Sequence, residues 1–227
     1  MVELHLEAFF FILRTGAPWR ELSPRLGPWS TVYSQFRRWC RCGVWEALLA
    51  WLGKQAKGTL RHVDGSYIKL HQHGLQGSKK LREQEAIGLS RGGMTTKLLA
   101  AVDEAGQLCA FVLTSGNLHD QTAARRMMEA FQNIHFVGDK GFDSLSFRKA
   151  LDEQGATGST IPRRGFAKLE DQPAPFDQSL YRQRHHVENL FQRLKAHKRI
   201  ALRSDKTASS FAGFIILAGI LDRLHRL

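Results

Sequence analysis

A chain of 227 residues that is 43% hydrophobic and 24% charged has material for one full domain and a small appendage, and its 33 Lys and Arg against 21 Asp and Glu leave a formal charge of +12. That imbalance points to a polyanionic partner, nucleic acid first, over a neutral or acidic one. The longest apolar stretches, Leu6 to Leu13 and Phe211 to Leu221, fall far short of the roughly 20 residues that span a bilayer, which argues against a membrane protein.

At the N-terminus, acids precede the apolar run where a secretory signal would carry cations, so a cytoplasmic, nucleoid-associated protein is expected. Residues 1–57 read as a small all-α domain. The pattern predicts helices over Leu4 to Leu13, Ser30 to Cys42 and Val44 to Gln55, with a break at Gly16 and Pro18 and a short turn around Trp19 to Leu22. On the second helix Val32, Phe36 and Trp39 recur at spacings of four and three, leaving Arg37, Arg38 and Arg41 toward solvent. Such a helix meets DNA in a helix-turn-helix, or forms the solvated face of a small bundle. Cys40, Cys42 and Cys109 cannot all pair, and a lone C-x-C is not a zinc spacing, so they read as reduced thiols. His71 with His73 and His185 with His186 lack carboxylate or thiol partners at zinc-finger spacing and read as exposed or DNA-facing.

The texture changes at Gly58, where a second domain, 58–227, begins. The alternating, β-rich RHVDGSYIKLH predicts a strand with Asp64 on the same face as Ser66 and Ile68. The following stretch to Lys97, with the cations Lys79, Lys80, Arg82 and Arg91, reads as a long loop of the kind that carries function. KLLAAVD and QLCAFVLTS around Glu104-Ala105-Gly106 predict a hairpin. A helix over Asp120 to Gln132, a buried strand IHFVGD, a helix from Ser144 to Gln154 capped by Asp143, a short strand GSTIP and a linker over Gly165 to Gln178 complete the series. A hairpin followed by strands with helical crossovers means a mixed α/β sheet flanked by helices on both faces. Asp139 then falls at the carboxyl end of a strand, where open sheets place ligands. Asp103, beside the hairpin turn, and Asp120, as a helix cap, are weaker candidates.

YRQRHHVENLFQRLK, from Tyr181 to Lys195, reads as one helix. Val187, Leu190, Phe191 and Leu194 form its apolar stripe, and Tyr181, Arg184, Glu188 and Lys195 lie on an adjacent arc. The charges on that arc suit either a solvated i, i+4 pair or a rigid carboxylate beside a metal and a phosphate. Three carboxylates, Asp64, Asp139 and Glu188, suffice to hold a pair of divalent ions if the fold converges them, and no spacing proves that it does.

Here the sequence resembles bacterial insertion-sequence transposases of the IS-five type. Their signature of Tyr, two residues, Arg, three residues, Glu, six residues and Lys is matched in full by Tyr181, Arg184, Glu188 and Lys195. HVDGSYIKLH and VGDKGFDS match the segments that hold the family's two aspartates, and LRTGAPWREL, GPWSTVYSQFRRW, IGLSRGGMTTK and LTSGNLHDQTAA are similar to further family segments. The resemblance implies an RNase H-like catalytic domain and an Asp-Asp-Glu triad of Asp64, Asp139 and Glu188 holding two Mg²⁺ or Mn²⁺ ions. It also implies DNA cleavage at the element's ends followed by strand transfer into target DNA. The expected partner is double-stranded DNA, bound by a homodimer or higher oligomer. Tyr181, Arg184 and Lys195 are the expected contacts near the triad; Arg37, Arg38, Arg41, Lys79, Lys80 and Arg91 are those farther out. Family members carry a few tens of residues before the LEAFFFIL-like helix, so a truncated product or one half of a frameshifted frame is expected. A catalytically inactive derivative that only binds DNA is the alternative.

Overall fold

The computed structural model describes residues 2–75, 77–163 and 176–226. Helix α1 (Val2–Thr15) buries Ala8, Phe9, Ile12 and Leu13 along one side. It ends at Gly16, whose φ of +69° and close approach to Lys198, 3.1 Å from where a Cβ would lie, both require glycine. Two 3-10 turns, Trp19–Glu21 and Pro24–Leu26, lead to α2 (Trp29–Arg41) and α3 (Val44–Lys54). These helices fall within a residue or two of the periodicity.

The sheet forms around β1 (Leu60–Leu70). Strand β3 (Gly93–Val102) runs antiparallel to it, and β4 (Leu108–Ser115) runs antiparallel to β3 across the hairpin turn. On the other side β5 (His135–Val137) pairs parallel with β1, and β6 (Gly158–Thr160) parallel with β5. The order is thus β4, β3, β1, β5, β6. Strand β2 (Gly88–Ser90) adds to the outer edge of β3, and β7 (Leu202–Arg203) to the far end of β1. With helices on both faces, this is the RNase H-like α/β fold.

Period-two alternation decides which face each side chain serves. Leu99, Ala101 and Val63 join one core with Phe131, Phe136, Phe142, Phe147 and Leu151, from the crossover side that holds α5 (Asp120–Ala124) and α6 (Leu145–Glu153). Leu98, Ala100, Val102 and Ile68 face the other way. There they meet α8 (His185–Lys195), α10 (Ala208–Leu224) and the N-terminal helices in one continuous core. The ring of Phe36 stacks on Phe214 at 4.5 Å and lies 5.0 Å from Phe9 and 5.3 Å from Trp45. Each such pair contributes about 0.5–1.5 kcal/mol beyond its buried area.

Several expectations need correction. The stretch to Lys97 is not an irregular loop: it folds into a 3-10 turn, the helix α4 (Lys79–Gln84) and β2, because Ser78 caps α4 and Gly88–Ser90 finds hydrogen-bond partners on β3. The helix expected over Asp120 to Gln132 stops after Ala124 and continues as 3-10 turns, kinked at Met127 (φ −130°, ψ 28°). Ser144, not Asp143, caps α6, its Oγ accepting from the Phe147 N–H, while Asp143 pairs with Arg148 at 3.0 Å. Tyr181 to Lys195 is not one unbroken helix. Helix α7 (Gln178–Arg182) tightens into i→i+3 bonds at Gln183, Arg184, His186 and Val187 before α8 resumes i→i+4 bonding. The linker expected over Gly165 to Gln178 lies, except for its last three residues, outside the described residues.

A close helix approach sets a test. A Cβ on Gly213 of α10 would lie 2.9 Å from Trp45 Nε1 and 3.1 Å from Phe36 Cζ, both on buried rings. Gly213→Ala is expected to lower the unfolding free energy by about 1–3 kcal/mol, read from the urea midpoint. An unchanged midpoint would show that the two rings can move aside.

Candidate active site

Two strands bring the first two carboxylates together. His62 pairs with Val137 across the parallel β1–β5 ladder, and Asp64 and Asp139 each lie two residues beyond that pair. The chain leaves the sheet at Asp139, which caps the 3-10 turn Lys140–Phe142 by accepting the Gly141 N–H at 2.7 Å. Asp64 remains inside β1 opposite Ala100 and accepts the Gly65 N–H at 2.8 Å. Its face carries Ser66 and Ile68, as the alternation predicted.

Helix α8 supplies the rest. Its buried stripe, Val187, Leu190, Phe191 and Leu194, shares the core with Ile68, Leu98, Ala100 and Val102, and so lays the helix across β1 and β3. Packing in this register aims the charged arc at β1. One nitrogen of the Arg184 fork, Nη1, donates to Asp64 Oδ2 at 2.5 Å, and the other, Nη2, donates to Glu188 Oε1. The Tyr181 ring lies 6.0 Å from the same guanidinium and 5.3 Å from Phe176. Three turns on, Lys195 Nζ donates to Ser66 Oγ at 2.7 Å and Tyr67 O at 3.1 Å.

Burial pushes the Asp64 carboxyl above its usual range; Arg184 and the Gly65 amide oppose this and the charge of Asp139 adds to it. Burial likewise works against the Arg184 charge, yet Asp64 and then Glu188 outweigh it and hold the guanidinium above its ordinary value. Burial alone lowers the Lys195 ammonium. The charged form of Asp64 is thus disfavoured mainly by burial, with Arg184 opposing it. Hard carboxylate oxygens are the donors that magnesium or manganese takes. The geometry is that of a bridged set, however: among the described residues no group of three or more His, Cys, Asp or Glu side chains is close enough together to hold a metal ion. Asp64 and Glu188 meet through a guanidinium.

The other expected residues are spread over the molecule. Arg37 turns from solvent and donates to Thr207 Oγ1 at 2.8 Å and Ser210 Oγ at 2.9 Å, the polar start of α10, whereas Arg38 and Arg41 are exposed. Lys79, Lys80 and Arg91 are exposed at the β2 edge, across β3 from β1. Arg82, on the same helix as the two lysines, is half-buried. Asp120 is no cap: it pairs with the buried Lys97 at 2.7 Å and lies against Gly65, on the opposite face of the sheet from Asp64. Asp103 locks the hairpin turn by accepting N–H groups of Lys57, Ala105 and Gln107 at 2.8–3.0 Å. Sequence reasoning passed over His62, which is fully buried with neither ring nitrogen hydrogen-bonded, its ring 5.5 Å from that of His186 on α8. Its position two residues before Asp64, on the same face, was the available signal.

An RNase H-like sheet carries Asp64 within β1, Asp139 just past the adjacent β5, and a helix-borne Glu188 tied to Asp64 through Arg184. Residues 55–222 match the family described as "Transposase DDE domain", and residues 3–49 match "Putative transposase of IS4/5 family". The chain belongs to the DDE transposases of insertion sequences, a family of enzymes that cut and join DNA strands. It is similar to a putative transposase for insertion sequence element IS6501 of Brucella ovis, at 32% identity over 55% of this chain and 95% of that one. It is also similar to the uncharacterized protein y4sN of Sinorhizobium fredii, at 34% identity over 39% of this chain and 74% of that one. Among solved structures, a Mos1 transposase paired-end complex with left transposon end aligns at 12% identity and a TM-score of 0.30, covering 85% of this chain and 77% of that chain. No helix among the described residues is long and apolar enough to cross a membrane.

The buried His62 gives a pH test. Burial, then the neighbouring His186, lower its pKa from 6.5 to about 4. The unfolded chain therefore takes up the proton first, and stability present above about pH 6.5 is lost as pH falls toward about 4. The loss attributable to this residue is about 3 kcal/mol. Urea midpoints at pH 7 and pH 4.5 are expected to differ by less in His62→Leu than in the parent; an equal difference would show that His62 is protonated at no cost.

Proposed function

We propose that the chain is a transposase that cuts DNA at insertion-sequence ends and joins the freed 3′ hydroxyl to target DNA, with Asp64, Asp139 and Glu188 as the metal-holding carboxylates. The observation that carries this reading is the pairing of Asp64, within β1, with the helix-borne Glu188 through one arginine fork, on the strand next to the one that ends at Asp139. Two magnesium or manganese ions, when bound, would supply Lewis-acid stabilisation of the attacking and leaving oxygens of the phosphodiester. The protein's own part is to present the ligands and guide the strand. Asp64 and Asp139 offer oxygens fixed by backbone amides, and Glu188 offers an exposed carboxylate on a helix anchored by its apolar stripe. Arg184, once released from either carboxylate, is a planar fork suited to a phosphate. Lys195 is a cation held against β1 beside the path to that phosphate, and Tyr181 supports the fork from behind.

Duplex DNA, carried by an oligomer of the chain, is the substrate in this reading. The residue charge of +12 supports it, with exposed cations on α2 and at the β2 edge as outlying phosphate contacts. Division into a helical region, 1–57, for recognition and a catalytic region, 58–227, belongs to the same proposal.

Supercoiled DNA carrying element ends, incubated with the purified protein and Mg²⁺ or Mn²⁺, tests it. Cleavage is expected in the parent and background cleavage only in Asp64→Ala, Asp139→Ala and Glu188→Ala, with duplex binding retained in all three. Unchanged cleavage in one variant removes that residue from the triad. Binding without cleavage by the parent would identify the inactive derivative instead. Across salt concentrations, log K should fall by about 0.9 per phosphate neutralised.

A further inference from the structure

A cleft of about 1060 Å³ opens between α2 and the segment from α9 (Lys198–Ala201) to the start of α10. It lies away from the carboxylates, past the end of β1: from Asp64 to His71, which lines the cleft, is about 23 Å of strand at ~3.3 Å per residue. One wall carries two aromatic rings a helical turn apart, Trp29 and Tyr33, 37% and 38% exposed. Trp19, 5.3 Å from Tyr33 and 6.0 Å from Phe214, closes the floor. Around the rings stand cations: the Arg20 guanidinium is 5.4 Å from the Trp29 ring, and Lys198 and Lys206 are exposed on the far side. The acid in the lining, Asp205, is buried and already paired with Arg199 at 2.7 Å.

We infer that this cleft binds an unpaired DNA strand, its bases stacking on Trp29 and Tyr33 and its phosphates held by Arg20, Lys198 and Lys206. Exposed aromatic rings interleaved with uncompensated cations are the features that sequence-tolerant single-strand sites use, since every base has a stacking face and every nucleotide a charge. A duplex has its bases stacked inside and cannot offer them to rings set within a cleft. The inference rests on the transposase reading, because strand cleavage at an element end is what would release such a strand within reach. The cleft spans the two family-matched segments, 3–49 and 55–222, so a strand lodged there would bridge the N-terminal helices to the catalytic sheet.

Three fluorescently labelled probes separate the possibilities by anisotropy at one fixed low salt: a thymidine hexamer, an abasic hexamer of equal charge, and a 12-base-pair duplex. The hexamer with bases is expected to bind about tenfold or more tightly than its abasic counterpart. Trp29→Ala and Tyr33→Ala should each remove about tenfold of the thymidine-hexamer affinity while leaving abasic and duplex affinities within about twofold, and Trp29→Phe should restore most of it. Both rings are partly solvent-exposed, and the Phe variant reports on stacking in a folded protein. Equal binding of the two hexamers, or Ala variants that bind thymidine like the parent, overturns the inference and leaves the duplex reading standing. Failure of the unaltered protein to bind the duplex as well overturns the transposase reading with it.

Discussion

The fork of Arg184 between Asp64 and Glu188 is the interaction on which the site depends. It joins a strand to a helix 120 residues later in the chain, with one guanidinium nitrogen on each carboxylate. A partly buried charge pair of this kind does not by itself stabilise the fold greatly, because removing ions from water offsets most of their attraction. Its role is positional. Apolar packing of Val187, Leu190, Phe191 and Leu194 sets where α8 lies, and the arginine sets what faces Asp64. Burial is the main push on the Asp64 carboxyl above its usual range, and Arg184 offsets it only in part. A chain with a large positive excess overall thus holds Asp64 and Glu188 on one arginine beside the central strand of its sheet.

The N-terminal helices and the sheet are not independent bodies in packing terms. Phe9, Phe36 and Trp45 share one core with Phe214 of α10 and with Ile68 and Leu98 of the sheet. Arg37 and Arg223 add polar ties across the same join, the latter donating to Gln55 O at 2.9 and 3.0 Å. The aromatic cleft lies in this same join, which is why its walls come from segments far apart in the chain.

Much of this was legible from residue patterns where local physics decides. The alternation around Asp64 and the apolar stripe of α8 gave the correct faces, because period two and period 3.6 follow from backbone geometry alone. The motif from Tyr181 to Lys195 placed Arg184 and Glu188 on one arc, and that arc survives the tightening at Gln183 and Arg184 because the residues there keep helical dihedral angles. What escaped was settled at long range. Only the position of Thr207 and Ser210 turns Arg37 away from solvent, and only Lys97 shows that Asp120 belongs to the opposite face. The kink at Met127 and the short elements before β3 depend on tertiary partners that no window of sequence contains. His62 looked like one more strand residue until α8 buried it.

The most direct measurement on the site is binding of Mn²⁺ followed by the electron paramagnetic resonance signal of the free ion, in the absence of DNA. If Asp64, Asp139 and Glu188 form one cation-seeking site, the parent should bind saturably. Asp64→Asn and Asp139→Asn, which keep shape and remove charge, should each weaken binding by about tenfold or more. Binding of equal strength in the parent and both variants would contradict a shared metal site at these carboxylates.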